Sequence, residues 1–543
     1  MRKIKYIALS LLTLGMLACE NDLVQDLRDT KNNNEEPLPE LVAGTADFSK
    51  YVAVGASFTA GFSDNALFIA TQENSFPNLL SMKFAMLGGG NFTQPLMGDN
   101  IGGLLFNGAP DPSGAFGPRL FFDGSGPAGL PATQTTEATT VLSGPFNNIG
   151  VPGAKSIHLG VNGYGFGNPY FGRMASNPMA SMLEDAVAQN PTFFTLSEIG
   201  GNDVLSYATS GGSGVDQTGN YDPTTYGNND ITDPVVFASA FGASVDALVA
   251  NGAKGVVTNV PYITSLAHFT TVPHNPLDPT NPDFGPQIPL LNSIFGALNP
   301  IFEAVDPNRT IVFSETEASA VVIRDETLAD ISTTIIGALN ASPTFPAFIA
   351  QFGLPETAAP LVANLLGNTY GQTRQANAND LFVLPSSSII GTVNEAYANA
   401  LEAQQLPAAL AAQFATEGIT LPLEDKWVLL PSEQTAIRNA TDAYNLTIES
   451  IATENGLALV NFKDILIEAA TTGLTSGNFT LNTNLVTGGL ISLDGVHLTS
   501  RGYAVMANEM MRAIDETYGS NFEASGNFYD CGNYPTNYPV TLQ

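Results

Sequence analysis

Basic residues are scarce in this chain. Of its 543 residues only 19 are Lys or Arg, against 51 Asp or Glu, for a net charge of -32. Nucleic-acid binding needs a basic surface that displaces counterions from phosphates, so that partner class is excluded. Cysteine is scarcer still, with only Cys19 and Cys531, too few for a disulfide framework. There is one Trp, Trp427, and there are four His: His158, His268, His274 and His497. Beyond the N-terminus no apolar run is long enough to span a bilayer as a helix. What is present is 44% hydrophobic and only 13% charged, enough to build a core. The length suits two or three average domains or one enlarged by insertions.

The N-terminus reads as a processing signal. Arg2, Lys3 and Lys5 precede an apolar stretch from Tyr6 to Ala18, too short for a mature transmembrane helix. It ends Met16-Leu17-Ala18-Cys19, which resembles a bacterial lipobox, although Met16 departs from the usual Leu. The resemblance implies cleavage before Cys19 and lipid attachment to it; the alternative is an ordinary secretory peptide. Residues 19–45 are polar, with Pro37 and Pro39, and read as a flexible tether. Glu20-Asn21-Asp22 resembles the surface-export signal of Bacteroidetes lipoproteins, or is simply solvated linker. These features place the protein in the cell envelope, anchored by lipid to the outer membrane. With Cys19 lipidated, Cys531 has no partner, and it sits in an expected C-terminal tail, 521–543.

Residues 46–520 alternate strand and helix. Tyr51–Val54 is apolar without alternation, as in a strand covered on both faces. A helix is predicted from Met174 to Gln189, stopped by Pro191, and a strand follows from Thr192 to Ile199. Asp233-Pro234 can cap a helix to about Ala250, with a strand from Gly255 to Val260. Ser432 is predicted to cap a helix that Gly456 ends, before a strand at Leu457–Val460. Thr499 is predicted to cap a last helix to about Glu516. Such alternation implies a mostly parallel sheet with helices on both faces. Residues 87–145, 206–233 and 266–430 interrupt the rhythm and read as insertions over the carboxyl edge, where open α/β folds place ligands. Asp216, Asp222, Asp230 and Asp233 are acidic loop residues open to a calcium reading, although their spacing is not that of an EF-hand.

Four segments carry chemistry. Ser57, in Gly55-Ala56-Ser57-Phe58, follows the first strand; it is either a turn serine or a nucleophile. It lacks the Gly-x-Ser-x-Gly elbow of α/β-hydrolases, since position 59 is Thr. Gly242-Ala243-Ser244 lies inside a predicted helix. Gly153, in Ile149-Gly150-Val151-Pro152-Gly153-Ala154, makes a turn or presents an N–H. Asn202, in Gly200-Gly201-Asn202-Asp203, makes a turn or aims an amide at a developing oxyanion. In Asp494-Gly495-Val496-His497 a carboxylate stands three residues before the imidazole, the pair a serine nucleophile needs.

In this order the segments resemble the blocks of GDSL, or SGNH, hydrolases. The resemblance implies a three-layer α/β/α, flavodoxin-like fold with large loop and helical insertions. It implies Ser57 as nucleophile, His497 as base and Asp494 as its orienting acid. Ser57, Gly153 and Asn202 would form the oxyanion hole, with no cofactor and no metal. Ala56 departs from the family's aspartate before the serine and is expected to loosen that turn. The activity so implied is hydrolysis of a carboxylic ester, acyl lipid or acylated glycan. Three functions stay open: a lipase or esterase, a carbohydrate acetyl esterase, and a non-catalytic glycan-binding or structural lipoprotein.

Overall fold

The computed structural model describes residues 37–543. The expected signal peptide, Cys19 and the expected tether up to residue 36 lie outside the described residues. Five short apolar runs become the strands β1 (Tyr51–Gly55), β2 (Asn148–Gly150), β3 (Phe193–Ser197), β4 (Lys254–Thr258) and β5 (Ala458–Val460). Every residue of β1 and β3 is buried, which is why neither alternates in sequence. The sheet runs β2-β1-β3-β4-β5, and all four pairings are parallel. That is the strand order of flavodoxin-like sheets, in which the direction of winding reverses beside the first strand and opens a crevice there.

The helices that frame the sheet are α1 (Ser57–Ala60), α2 (Phe76–Ala85), α3 (Met182–Val187), α4 (Asn202–Thr209), α5 (Pro234–Val249), α6 (Pro431–Asn455), α7 (Phe462–Thr471) and α8 (Ser500–Tyr518). On one face α2 and α8 pack together over Phe193, whose ring meets Phe84 at 5.5 Å and Tyr518 at 5.9 Å. Phe194 points to the opposite face by strand alternation. A second layer is formed by α5 with α3 and α6, with Phe237 stacked on Tyr444 at 4.2 Å. The chain is thus α/β around a five-stranded parallel sheet.

Local chemistry sets the boundaries. Asp233 accepts from the N–H groups of Val235 and Val236 at 2.8 and 3.0 Å, starting α5. Gly456 ends α6 in the left-handed region, and Thr499 caps α8 through the Gly502 N–H at 3.0 Å. Two expectations are corrected. The helix expected from Met174 to Gln189 is broken: one helix ends at Met174 and α3 starts only at Met182. Ser181 and Glu184 form a reciprocal capping box, at 3.1 and 2.9 Å, that restarts the helix there. Ser432 does not cap α6; the helix opens at Pro431, and the Glu433 carboxylate takes the Leu430 N–H at 2.6 Å.

The insertion at 266–430 is a largely helical body with its own core, including Phe295, Phe302, Ile335, Tyr370 and Leu423. Arg374 ties it internally, reaching Asp325 at 2.6 Å and Asp380 at 2.7 Å. Residues 87–145 form two short hairpins around the fully buried Arg119. The Arg119 guanidinium donates to the carbonyls of Asn100, Pro539 and Leu542 at 2.9, 2.8 and 2.8 Å. Residues 521–543, expected as a tail, are therefore packed on the domain, with Cys531 fully buried.

Gly150 admits no side chain, because a Cβ there would collide with the backbone of Thr59 and Ala60 in α1. Gly150→Ala is expected to lower stability by about 1–3 kcal/mol in urea unfolding. Gly129→Ala, with open space at its Cβ position, should change it by less than about 0.5 kcal/mol.

Candidate active site

The register brings three strand ends into one row. Gly55 of β1 pairs with Gly150 of β2 on one side and with Ser197 of β3 on the other. The chain then leaves each strand at the same edge and reaches Ser57, Gly153 and Asn202 within a few residues. Those three residues, far apart in sequence, are thereby delivered to the carboxyl edge of the sheet, on either side of the first strand.

Ser57 opens α1, and its side chain is largely buried, at 8% exposure. The turn that holds it is built on Glu198, a residue the sequence reading passed over. Glu198 sits just past β3 with φ at 50°, and its carboxyl accepts from Ala56 N–H at 2.7 Å, Thr59 N–H at 2.8 Å and Thr59 Oγ1 at 3.0 Å. Gly55 must be glycine here, since a Cβ would stand 2.9 Å from Glu198 Oε1 and 2.8 Å from Ser197 O. With Ala at position 56, the side chain that holds this turn comes from beyond the neighbouring strand, from Glu198. Burial pushes the Glu198 carboxyl up to about 7 against the lowering effect of those hydrogen bonds. The legible signal is an acid inside the strand expected from Thr192 to Ile199.

The Asp494–His497 segment is a tight loop ahead of α8. Asp494 Oδ1 accepts from Val496 N–H and His497 N–H, both at 2.8 Å, while Oδ2 stands 3.0 Å from His497 Nδ1. Asn65 N–H donates to the same Oδ2 at 2.8 Å. Burial by itself would raise the Asp494 carboxyl, but the His497 charge and these hydrogen bonds outweigh it and hold it well below the usual carboxylate range. Asp64 fixes the loop from below: its Oδ1 accepts from Leu493 N–H at 3.0 Å and its N–H donates to Ser492 Oγ at 3.1 Å. The His497 ring lies against Phe62 at 4.6 Å and Phe58 at 5.8 Å, which brings it over the Ser57 turn. With Nδ1 facing Asp494, the ring's Nε2 is the nitrogen left for a nucleophile. Neither it nor Ser57 Oγ has a hydrogen-bond partner among the described residues, and catalytic hydrogen bonds in free enzymes often close only with substrate.

Asn202 is the first residue of α4, and its Nδ2 donates to Ala154 O at 2.9 Å, leaving its second hydrogen free. Asp203, fully buried, accepts from Ser156 N–H at 2.9 Å and Ser156 Oγ at 2.6 Å. The Gly-Asn-Asp turn therefore clamps the loop that carries Gly153. Gly153 sits at φ 79°, with open space where a Cβ would be. Two cavities meet at this edge. The larger and more polar one, of about 870 Å³, is lined by Gly153, Asn202, His268, Asp494 and His497 among others. An apolar one of about 110 Å³ is lined by Ser57, Phe58, Glu198 and Asn202. Asn202, Leu205 and Val496 line both.

All five residues singled out for the site thus reach one edge of the sheet. The remaining candidates do not. Ser244 bonds back to Ala240 O at 2.8 Å inside α5. The acidic loop residues hold backbone: Asp216 takes the Thr218 N–H, Asp222 that of Thr224, Asp230 those of Val215 and Gly227, and Asp233 caps α5. Among the described residues, the carboxylates placed closely enough for a metal are Glu326, Asp425 and Glu433, within 4.8 Å of one another in a separate cavity. His268, unremarked in sequence, joins the site from the helical insertion: its N–H donates to Gly495 O at 3.0 Å and its ring faces the polar cavity. Comparison with known proteins finds no matching family model, no matching curated protein and no matching solved structure.

Glu198→Ala, which leaves the Ala56 and Thr59 N–H groups unpaired, is expected to cost about 1–3 kcal/mol of stability, while Glu198→Gln keeps an acceptor and costs less. The raised carboxyl also sets a pH dependence. The unfolded chain releases this proton near 4.5 and the folded one near about 7. Stability therefore falls as pH rises through that window, and Glu198→Gln should flatten the fall in urea titrations at pH 4.5 and 7.

Proposed function

We propose that the protein is a serine ester hydrolase of the SGNH type. One observation carries the reading: the Asp494–His497 pair stands at the same sheet edge to which Ser57, Gly153 and Asn202 are delivered. His497 Nε2 takes the Ser57 hydroxyl proton as Oγ bonds to the ester carbonyl carbon. The oxyanion is met by the N–H groups of Ser57 and Gly153 and by the free Asn202 amide hydrogen. As the intermediate collapses, the carbon–alkoxy bond breaks and His497 returns the proton to the departing alcohol. Water then adds to the acyl-enzyme with His497 again as base, releasing the acid and restoring Ser57. Asp494 keeps its negative charge throughout, holding the imidazole in the tautomer with Nε2 free and stabilising the imidazolium. No cofactor takes part in this sequence. The lipid anchor at Cys19 belongs to the same proposal and would hold the hydrolase at a membrane of the cell envelope.

Ser57→Ala is expected to abolish hydrolysis of p-nitrophenyl esters and labelling by a fluorophosphonate probe; undiminished turnover would sink the assignment. Asn202→Ala should lower kcat by roughly 10²-fold or more, with a smaller effect on KM. Asp494→Asn should lower kcat by about 10⁴-fold, since the wrong tautomer faces the serine.

A further inference from the structure

The two cavities differ in chemistry, and Asn202 stands at their boundary. The smaller runs from Ser57 between α4, α7 and α8, walled by Leu205, Ile263, Leu266, Ile465, Leu474 and Met506. Apart from Ser57, Asn202, Glu198 and Glu509, its lining side chains are apolar. Glu198 is turned to the Ala56 and Thr59 donors of the nucleophile turn, so its carboxyl is already engaged. The larger cavity, on the His497 side, is the more polar of the two: amide and hydroxyl groups, among them Asn65, Asn168, Ser206, Thr209 and Asn228, stand between apolar side chains such as Ile157, Val161 and Leu205.

Resting on the ester-hydrolase reading, we propose that the apolar cavity takes the acyl chain and the polar one the alcohol. The substrate is then an ester of an aliphatic acid longer than acetate with a hydroxyl-rich alcohol such as a polyol or sugar. An acetyl group would leave the apolar walls uncovered. Each added methylene buried there should favour binding by about fourfold. In the other direction, an alkyl alcohol would leave amide and hydroxyl groups of the large cavity facing apolar atoms, which is unfavourable unless water stays. During turnover the alcohol, protonated by His497, departs through the polar side. The acyl-enzyme keeps its chain in the apolar cavity until water cleaves it.

The test uses the full-length chain in detergent micelles. The first arm compares p-nitrophenyl acetate, butyrate and octanoate, and the second compares 1-monooctanoylglycerol with ethyl octanoate. The unmodified chain should favour octanoate over acetate by about tenfold or more in kcat/KM. Ile465→Trp and Leu474→Trp, at half-buried positions of the wall, should each lower the octanoate-to-acetate ratio by about tenfold. The glycerol ester should be favoured over the ethyl ester. A preference for acetate, a ratio unmoved in both folded Trp variants, or equal use of the two octanoate esters would overturn the inference. Ser57→Ala run in parallel separates the two levels. If it retains activity, the hydrolase reading itself fails; if it is inactive and the ratios do not move, only the division of the cavities fails.

Discussion

An ionised carboxylate inside a protein must be surrounded by donors, and the Asp494 carboxylate, at 8% exposure, imposes that requirement on its neighbourhood. Two backbone N–H groups of its own loop, the Asn65 N–H and the His497 ring meet it. The same four contacts fix the orientation of the imidazole. The loop is held in turn by Asp64 and Ser492, so the segment after β1 and the segment before α8 become one unit across more than 400 residues of sequence. If this arrangement is lost, the sheet can still form while His497 no longer has a defined direction.

The nucleophile turn follows the same rule with a different carboxyl. Where the resembled family carries an aspartate next to the serine, this chain carries Ala56, and Glu198 reaches across from β3 to take the Ala56 and Thr59 N–H groups. The brace stands one residue past β3, the strand that pairs directly with β1. Glycine at 55 and at 150 is the steric counterpart: one lets Glu198 and Thr59 approach, the other lets α1 lie on β2. The turn around Ser57 is thus held by a side chain from outside its own segment.

The long interruptions are folded bodies. The segment 266–430 has its own aromatic core and reaches the site through His268, whose N–H holds Gly495 O. The segment 87–145 is locked to the C-terminus by Arg119. The first contributes Leu266 and His268 to the walls of the two cavities, whereas none of the residues lining them comes from 87–145. The chemical groups come from the strand ends, while the shape of the surrounding space owes much to residues between them.

The sequence alone determined the α/β alternation, because buried parallel strands read as apolar runs and helix caps such as Asp233, Gly456 and Thr499 are local chemistry. Which five residues to watch came from the resemblance of their segments, taken in order, to the blocks of a hydrolase family, since the segments of Ser57, Gly153 and Asn202 taken singly read equally well as turns. The sequence misplaced the helix at Met174–Gln189, since the capping box at Ser181 competes with a continuous apolar face. Only the tertiary structure decided the strand order, the brace at Glu198, the entry of His268 and the pairing of a polar with an apolar cavity. Each of these depends on contacts between segments distant in sequence. A carboxyl's role is set by which donors the fold brings to it, and a cavity by what several elements leave unfilled; neither is written in any local stretch of the chain.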